Sequence, residues 1–120
     1  MKMAFEDGSV RSACYDVGFP DQGEGWRDAA TCLTLMAKAA TLAEVHTARQ
    51  LTVVPLRTRL GVGSSYSVER NLGQVQVRAL SEGGQAMTVA DGLAGMEDVT
   101  AVLVLALVCG EVVIGEKVLS

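Results

Sequence analysis

Between Glu24 and about Gln50 the apolar residues Trp26, Ala30, Leu33, Ala37 and Ala40 recur at helical spacing, with Leu35 and Leu42 beside them, and predict the main helix. Thr41 followed three residues later by Glu44 has the form of a capping box, which allows two helices meeting near Ala40 instead of one rod. From Leu51 the pattern turns β-branched and then meets Pro55, which cannot donate to a ladder and so marks an edge strand or a bend, closed by Gly61-Val62-Gly63. Ser65 to Arg70 and Gln74 to Ala79 predict two strands joined by Asn71-Leu72-Gly73. Val75, Val77 and Ala79 alternate there with Gln74, Gln76 and Arg78, the pattern of a hairpin with one solvated face.

Glu82-Gly83-Gly84 and Asp91-Gly92 punctuate the chain before its most apolar run, Val99 to Val108. A short continuous apolar run does not reveal its period: its composition favours a strand, whereas Glu97 and Asp98 just before it suit a helix N-terminus. Glu111 to Leu119 follows as a last strand. Residues 1–23, with Gly8, Gly18, Pro20 and Gly23, read as an N-terminal arm holding a short strand over Val10 to Val17. Residues 24–120 then form a single α+β domain, helices gathered beside an antiparallel sheet, with an edge or face that self-association would cover.

Composition narrows the class. With 120 residues, 49% hydrophobic and 20% charged, the chain is long enough for one core and lacks the signature of disorder. Aromatics at 4% leave that core to Val, Leu, Ala and Met. The formal charge of -4 weakens attraction to phosphate backbones and anionic lipid, so neither nucleic acid nor a membrane is an expected partner. No apolar leader follows Lys2, and the longest apolar stretch falls short of the ~20 residues of a spanning helix; the expected location is the cytoplasm. Cys14, Cys32 and Cys109 have no zinc-ligand spacing and read as reduced core thiols, with no metal or cofactor expected.

Candidate chemistry is sparse. Gly61-Val62-Gly63-Ser64-Ser65-Tyr66 has Tyr66 where a dinucleotide fingerprint needs glycine, and a strand rather than a helix follows. His46 is the single imidazole, a general base only if a carboxylate such as Glu44 orients it. Arg57 and Arg59 would share one face of a strand, joined across the sheet by Arg70 or Arg78, and such a group could hold a phosphate or carboxylate. Glu97 and Asp98 are either acid-base candidates or ordinary first-turn carboxylates.

Met96-Glu97-Asp98-Val99-Thr100-Ala101-Val102-Leu103-Val104-Leu105-Ala106-Leu107 resembles the M-E-A-L-T-A-V-S-V-A-A-L helix of the cyclic pyranopterin monophosphate synthase family. Val54-Pro55-Leu56-Arg57-Thr58-Arg59-Leu60 is similar to that family's I-P-L-C-H-P-L segment, Gly84-Gln85 to its T-G-Q turn, and Val113-Ile114-Gly115 to its closing strand. The resemblance covers about the last two-thirds of the chain and implies a ferredoxin-like α+β homo-oligomer, its helices on one sheet face, in molybdenum cofactor biosynthesis. It departs where catalysis needs it: Thr58 stands at the histidine position, and the family's two lysines and aspartate are unmatched. The implied function is a diverged, lyase-like protein binding a phosphorylated pterin- or purine-like small molecule through Met96, Glu97, Arg57 and Arg59, with most of the family's catalytic groups unmatched and any activity that survives expected to be a lyase's. The rival reading is a non-catalytic oligomeric scaffold or interaction module.

Overall fold

The computed structural model describes residues 1–56, 63–90 and 92–115. The fold is α+β, six strands in one sheet with helices packed against it. In chain order the elements are β1 (Lys2–Phe5), α1 (Gly8–Tyr15), a 3₁₀ turn (Phe19–Gln22), α2 (Glu24–Lys38), α3 (Leu42–Thr47), β2 (Thr52–Leu56), β3 (Ser65–Arg70), β4 (Gly73–Leu80), the single turn α4 (Leu93–Met96), β5 (Ala101–Cys109) and β6 (Val112–Gly115).

The predicted division near Ala40 is observed. The Thr41 hydroxyl accepts from the Glu44 backbone N–H at 3.3 Å, while the Glu44 carboxylate accepts from the Ala40 N–H at 2.8 Å, so orphan donors at the start of α3 are satisfied reciprocally. In α2 the buried positions Gly25, Ala29, Cys32, Leu33 and Met36 fall on one stripe, and Glu24 and Lys38 at its ends complement the helix dipole. The strand expected over Val10 to Val17 is instead helix α1. Asp7 caps it, accepting from the Val10 N–H at 2.9 Å, and the segment needs only Val10 on its buried side. Upstream of it, β1 lies in the sheet beside β5.

The sheet runs β1-β5-β4-β3-β2. β2 to β5 form an antiparallel meander, but β1 pairs parallel to the first half of β5 (Lys2 opposite Ala101, Phe5 opposite Val104). The second half of the same edge takes β6, antiparallel, with Cys109 opposite Val112. The sheet is therefore mixed, not antiparallel throughout, and the element order departs from the β-α-β-β-α-β of a ferredoxin-like fold. Pro55 lies on β2 at the end of the strand order, as the reading of an edge strand required.

The fork at residues 99–108 resolves to strand. β5 has β4 on one edge and β1 with β6 on the other, which makes it interior to the sheet, and an interior strand buried on both faces reads as an unbroken apolar run. The helix that the resemblance implied for residues 96–107 is thus corrected: only Met96 belongs to a helical turn, and Glu97 closes that turn rather than opening one.

Register separates the two faces. Val53, Val68, Val75 and Leu107 lie on one rung, and Tyr66, Val77 and Val104 on another, all pointing to one side. These join the buried residues of all four helices, among them Val10, Met36, Leu42 and Met96, in a single core cluster. Close approach of α2 depends on missing side chains. A Cβ on Gly25 would collide with the Gly110 backbone, and one on Gly73 with the backbone of Ala29. Asp28 of α2 locks the contact by accepting from the Leu72 N–H at 3.2 Å and standing 3.5 Å from Arg70 Nε.

Candidate functional site

The other side of the sheet carries a different set of residues. Three rungs cross it: Leu56, Ser65, Arg78 and Leu103; Val54, Ser67, Gln76 and Ala106; Thr52, Glu69, Gln74 and Val108. Leu80, Leu105, Ala106 and Val108 are buried on this side yet stand outside the core cluster that the helices complete. Between Gln76 and Val77 the pairing slips by one residue, so Leu105 is the extra residue of a β-bulge beside the middle rung. The result is a polar strip on the two middle strands, β3 and β4, with aliphatic walls from β2 and β5.

The alternation on β4 predicts one solvated face; the structure corrects this along the strip. Ser65, Ser67 and Gln76 are 4%, 1% and 2% exposed, while Gln74, Arg78 and Glu69 at the ends are half-buried. Ser67 Oγ and Arg78 Nε are buried and make no hydrogen bond among the described residues. Buried polar atoms are nearly always satisfied, because each orphan forfeits its hydration for nothing, at about 1–3 kcal/mol. Arg70 Nε also lacks a hydrogen bond of good geometry, but it stands beside the Asp28 carboxylate, and Arg70 Nη1 donates to the Gln50 carbonyl at 3.4 Å. Arg70 therefore belongs to the helix-covered side and ties α2 to β3. Of the two arginines expected to join a cationic group across the sheet, only Arg78 lies on the strip.

The residues singled out from the resemblance separate. Met96 is 3% exposed and belongs to the core cluster, whereas Glu97 is exposed on the surface beside it. Arg57 and Arg59 lie outside the described residues. His46 stands exposed on α3 with its neighbour Val45 buried in the core. Glu44, the carboxylate proposed to orient it, is engaged in the cap of the same helix.

All three thiols sit on the helix-covered side or in the helices over it. Burial pushes Cys32 up to about 12, with Asp28 adding to the shift, and Cys14 and Cys109 up to about 11, from an ordinary 9.0. They are protonated at neutral pH and make poor nucleophiles, in line with reduced core thiols. Among the described residues no cluster of His, Cys, Asp or Glu has the arrangement of a metal site. No helix of the described chain is long and apolar enough to cross a membrane.

Sequence reasoning missed Ser65, Ser67 and Glu69 entirely. The available signal was their alternation with Tyr66, Val68 and Arg70, which places them opposite Arg78, Gln76 and Gln74 once the hairpin register is drawn. No family model matches the chain, and neither a curated protein nor a solved structure does.

Proposed function

We propose that this chain is a non-catalytic binding protein that holds a phosphate or carboxylate group of a small molecule on the polar strip, with Arg78 as its anchor. The observation that carries the reading is the pair of buried atoms without partners, Arg78 Nε and Ser67 Oγ, on one face of adjacent strands. A guanidinium presents parallel N–H groups to two oxygens of one anion, and such charge-assisted bonds are the strong ones. An oxyanion at this place would satisfy the arginine and accept from the serine hydroxyl.

The phosphorylated pterin- or purine-like ligand implied by the resemblance enters this proposal only as one member of a class. A helix over residues 96–107 was to form the wall of its pocket, and that segment is the interior strand β5. What carries over is its anionic half. Catalysis is left out because Thr58 stands where the resemblance needs a histidine and the family's two lysines and aspartate are unmatched.

The test is thermal unfolding with millimolar phosphate, acetate or a purine nucleoside monophosphate, for the wild type and Arg78→Met. Binding to the native state raises Tm by mass action, so at least one anion should raise it in the wild type and leave Arg78→Met unmoved. Equal shifts in both proteins, or none in either, would overturn the assignment. A second reading, self-association over the same face, is favoured by Val54 at 37% and Val113 at 45% exposure on its rims. It predicts a dimer or larger species by light scattering, dispersed by Val113→Glu.

A further inference from the structure

β1 closes one end of the strand order, pairing with β5 alone, and no strand lies on its other edge among the described residues. Its backbone groups alternate in direction. The N–H groups of Lys2 and Glu6 donate inward to the carbonyls of Thr100 and Val104, at 3.1 and 3.0 Å, so the N–H and C=O groups of Met3 and Phe5 point to the open edge. Edge strands are ordinarily blunted by a proline, a bulge or an inserted charge. The opposite edge of the sheet has such a device in Pro55 of β2. Lys2-Met3-Ala4-Phe5 has neither proline nor bulge, only the charge of Lys2 at one end. Glu6 carries the opposite charge just beyond the other end.

We propose that β1 pairs with β1 of a second copy of this chain, antiparallel about a two-fold axis at Ala4, joining the two sheets edge to edge. Met3 and Phe5 pack against the core, while Lys2, Ala4 and Glu6 are exposed, and neither charge has an ion-pair partner among the described residues. Parity and charge together select the register. Hydrogen-bonded pairs must join two outward residues, which allows Met3 opposite Met3, Phe5 opposite Phe5, or Met3 opposite Phe5. Only the last sets Lys2 of each copy opposite the partner's Glu6, where opposite charges favour a cross-strand pair. Each Met3–Phe5 pair then exchanges both of its backbone bonds. On the core side the same pairing brings the Met3 thioether against an aromatic ring, a favourable contact, beside Tyr15, which is 70% exposed with its ring 5.9 Å from that of Phe5. The joint is isologous and closed, so it ends at a dimer. It lies at an edge, independent of the anion-binding reading and of association over the strip.

Disulfide trapping tests the register in a Cys14→Ala background. The two Ala4 residues would form a non-hydrogen-bonded pair with Cα atoms about 4.5 Å apart, inside the range of about 4.4–6.8 Å that a disulfide spans. Ala4→Cys should therefore give a covalent dimer with oxidised glutathione, two protein thiols becoming one disulfide as the oxidant is reduced to two glutathione thiols. Lys2→Cys, displaced from its own copy by about 13 Å along the strand, should not. In sedimentation velocity, Lys2→Glu and Glu6→Lys should each weaken the dimer by about tenfold, and the variant carrying both should recover it, which separates lost pairing from lost folding. Val113→Glu should leave the dimer intact. A wild type that stays monomeric at millimolar concentration with no Ala4→Cys cross-link overturns the inference, as does equal cross-linking of the two cysteine variants. A dimer dispersed by Val113→Glu and unmoved by Lys2→Glu overturns it too, and each of these results leaves the anion-binding reading to its own test.

Discussion

The two sides of the sheet solve opposite problems with the same strands. On the covered side β3 contributes Tyr66, Val68 and Arg70, and the one charged member is taken up by Asp28 and Gln50. On the other side the same strand contributes Ser65, Ser67 and Glu69, and β4 sets Arg78 and Gln76 against them. The charged group on the covered side is therefore structural and held by partners, even though its Nε lacks a well-aligned hydrogen bond, while those on the strip are recessed and in part unsatisfied. A fold gains nothing from the second arrangement by itself, which is why the strip rather than the core is the place to look for a ligand.

The largest effect should come from cutting into the covered side. Leu107 is fully buried in the core cluster, so Leu107→Ala should cost about 2–5 kcal/mol by urea denaturation, the lost transfer energy plus the cavity left behind. Val113, 45% exposed on the opposite face, gives the contrast: Val113→Ala should change stability by less than about 0.5 kcal/mol. Similar losses at the two sites would mean that the side away from the described helices is itself core, and the distinction between faces would collapse.

Titration sharpens the same contrast, because every cysteine belongs to the covered side. The folded thiols are raised to about 11 or 12 against an unfolded value of 9.0, so the native state holds protons that the unfolded chain releases first. The associated stability is fully present below pH 9 and is lost as pH rises through 9 towards the folded values, on the order of 1 kcal/mol per thiol by pH 10. Urea midpoints at pH 7.5 and 10 should show the fall, and Cys32→Ala should shrink it. A midpoint that holds steady to pH 10 would show that these thiols are not enclosed as described.

How much of this was legible depends on whether a signal was local. The Thr41–Glu44 cap, the hairpin from Ser65 to Leu80 and the edge character of Pro55 each rest on a few adjacent residues, and each was readable. Helix α1 was not, because Gly8, Gly18, Pro20 and Gly23 mark a turn-rich arm and the local signal for the helix is a single cap, Asp7. Residues 99–108 stayed ambiguous for a tertiary reason: only the arrival of β1 and β6 on one edge and β4 on the other makes the run an interior strand. The candidate site was the least legible. Arg78 is one of several arginines in the sequence, and only the fold separates it from Arg70, whose partner Asp28 comes from a helix 42 positions away on the other face.

The smallest expected effect is the most discriminating, since it carries the opposite sign. Removing a buried hydroxyl that makes a good hydrogen bond destabilises a protein; removing one that makes none relieves a desolvation cost. Ser67 is 1% exposed, its Oγ has no partner among the described residues, and its cross-strand neighbours Val54 and Gln76 leave the loss of one oxygen atom as a small cavity at most. Ser67→Ala should therefore leave the ligand-free protein as stable as the wild type or more stable by up to about 1 kcal/mol, while weakening whatever anion the strip holds. Urea denaturation without ligand reads the first half and calorimetry the second. A loss of 1 kcal/mol or so in the ligand-free protein would show that the hydroxyl is already satisfied, and the strip would then be a packed surface rather than a site.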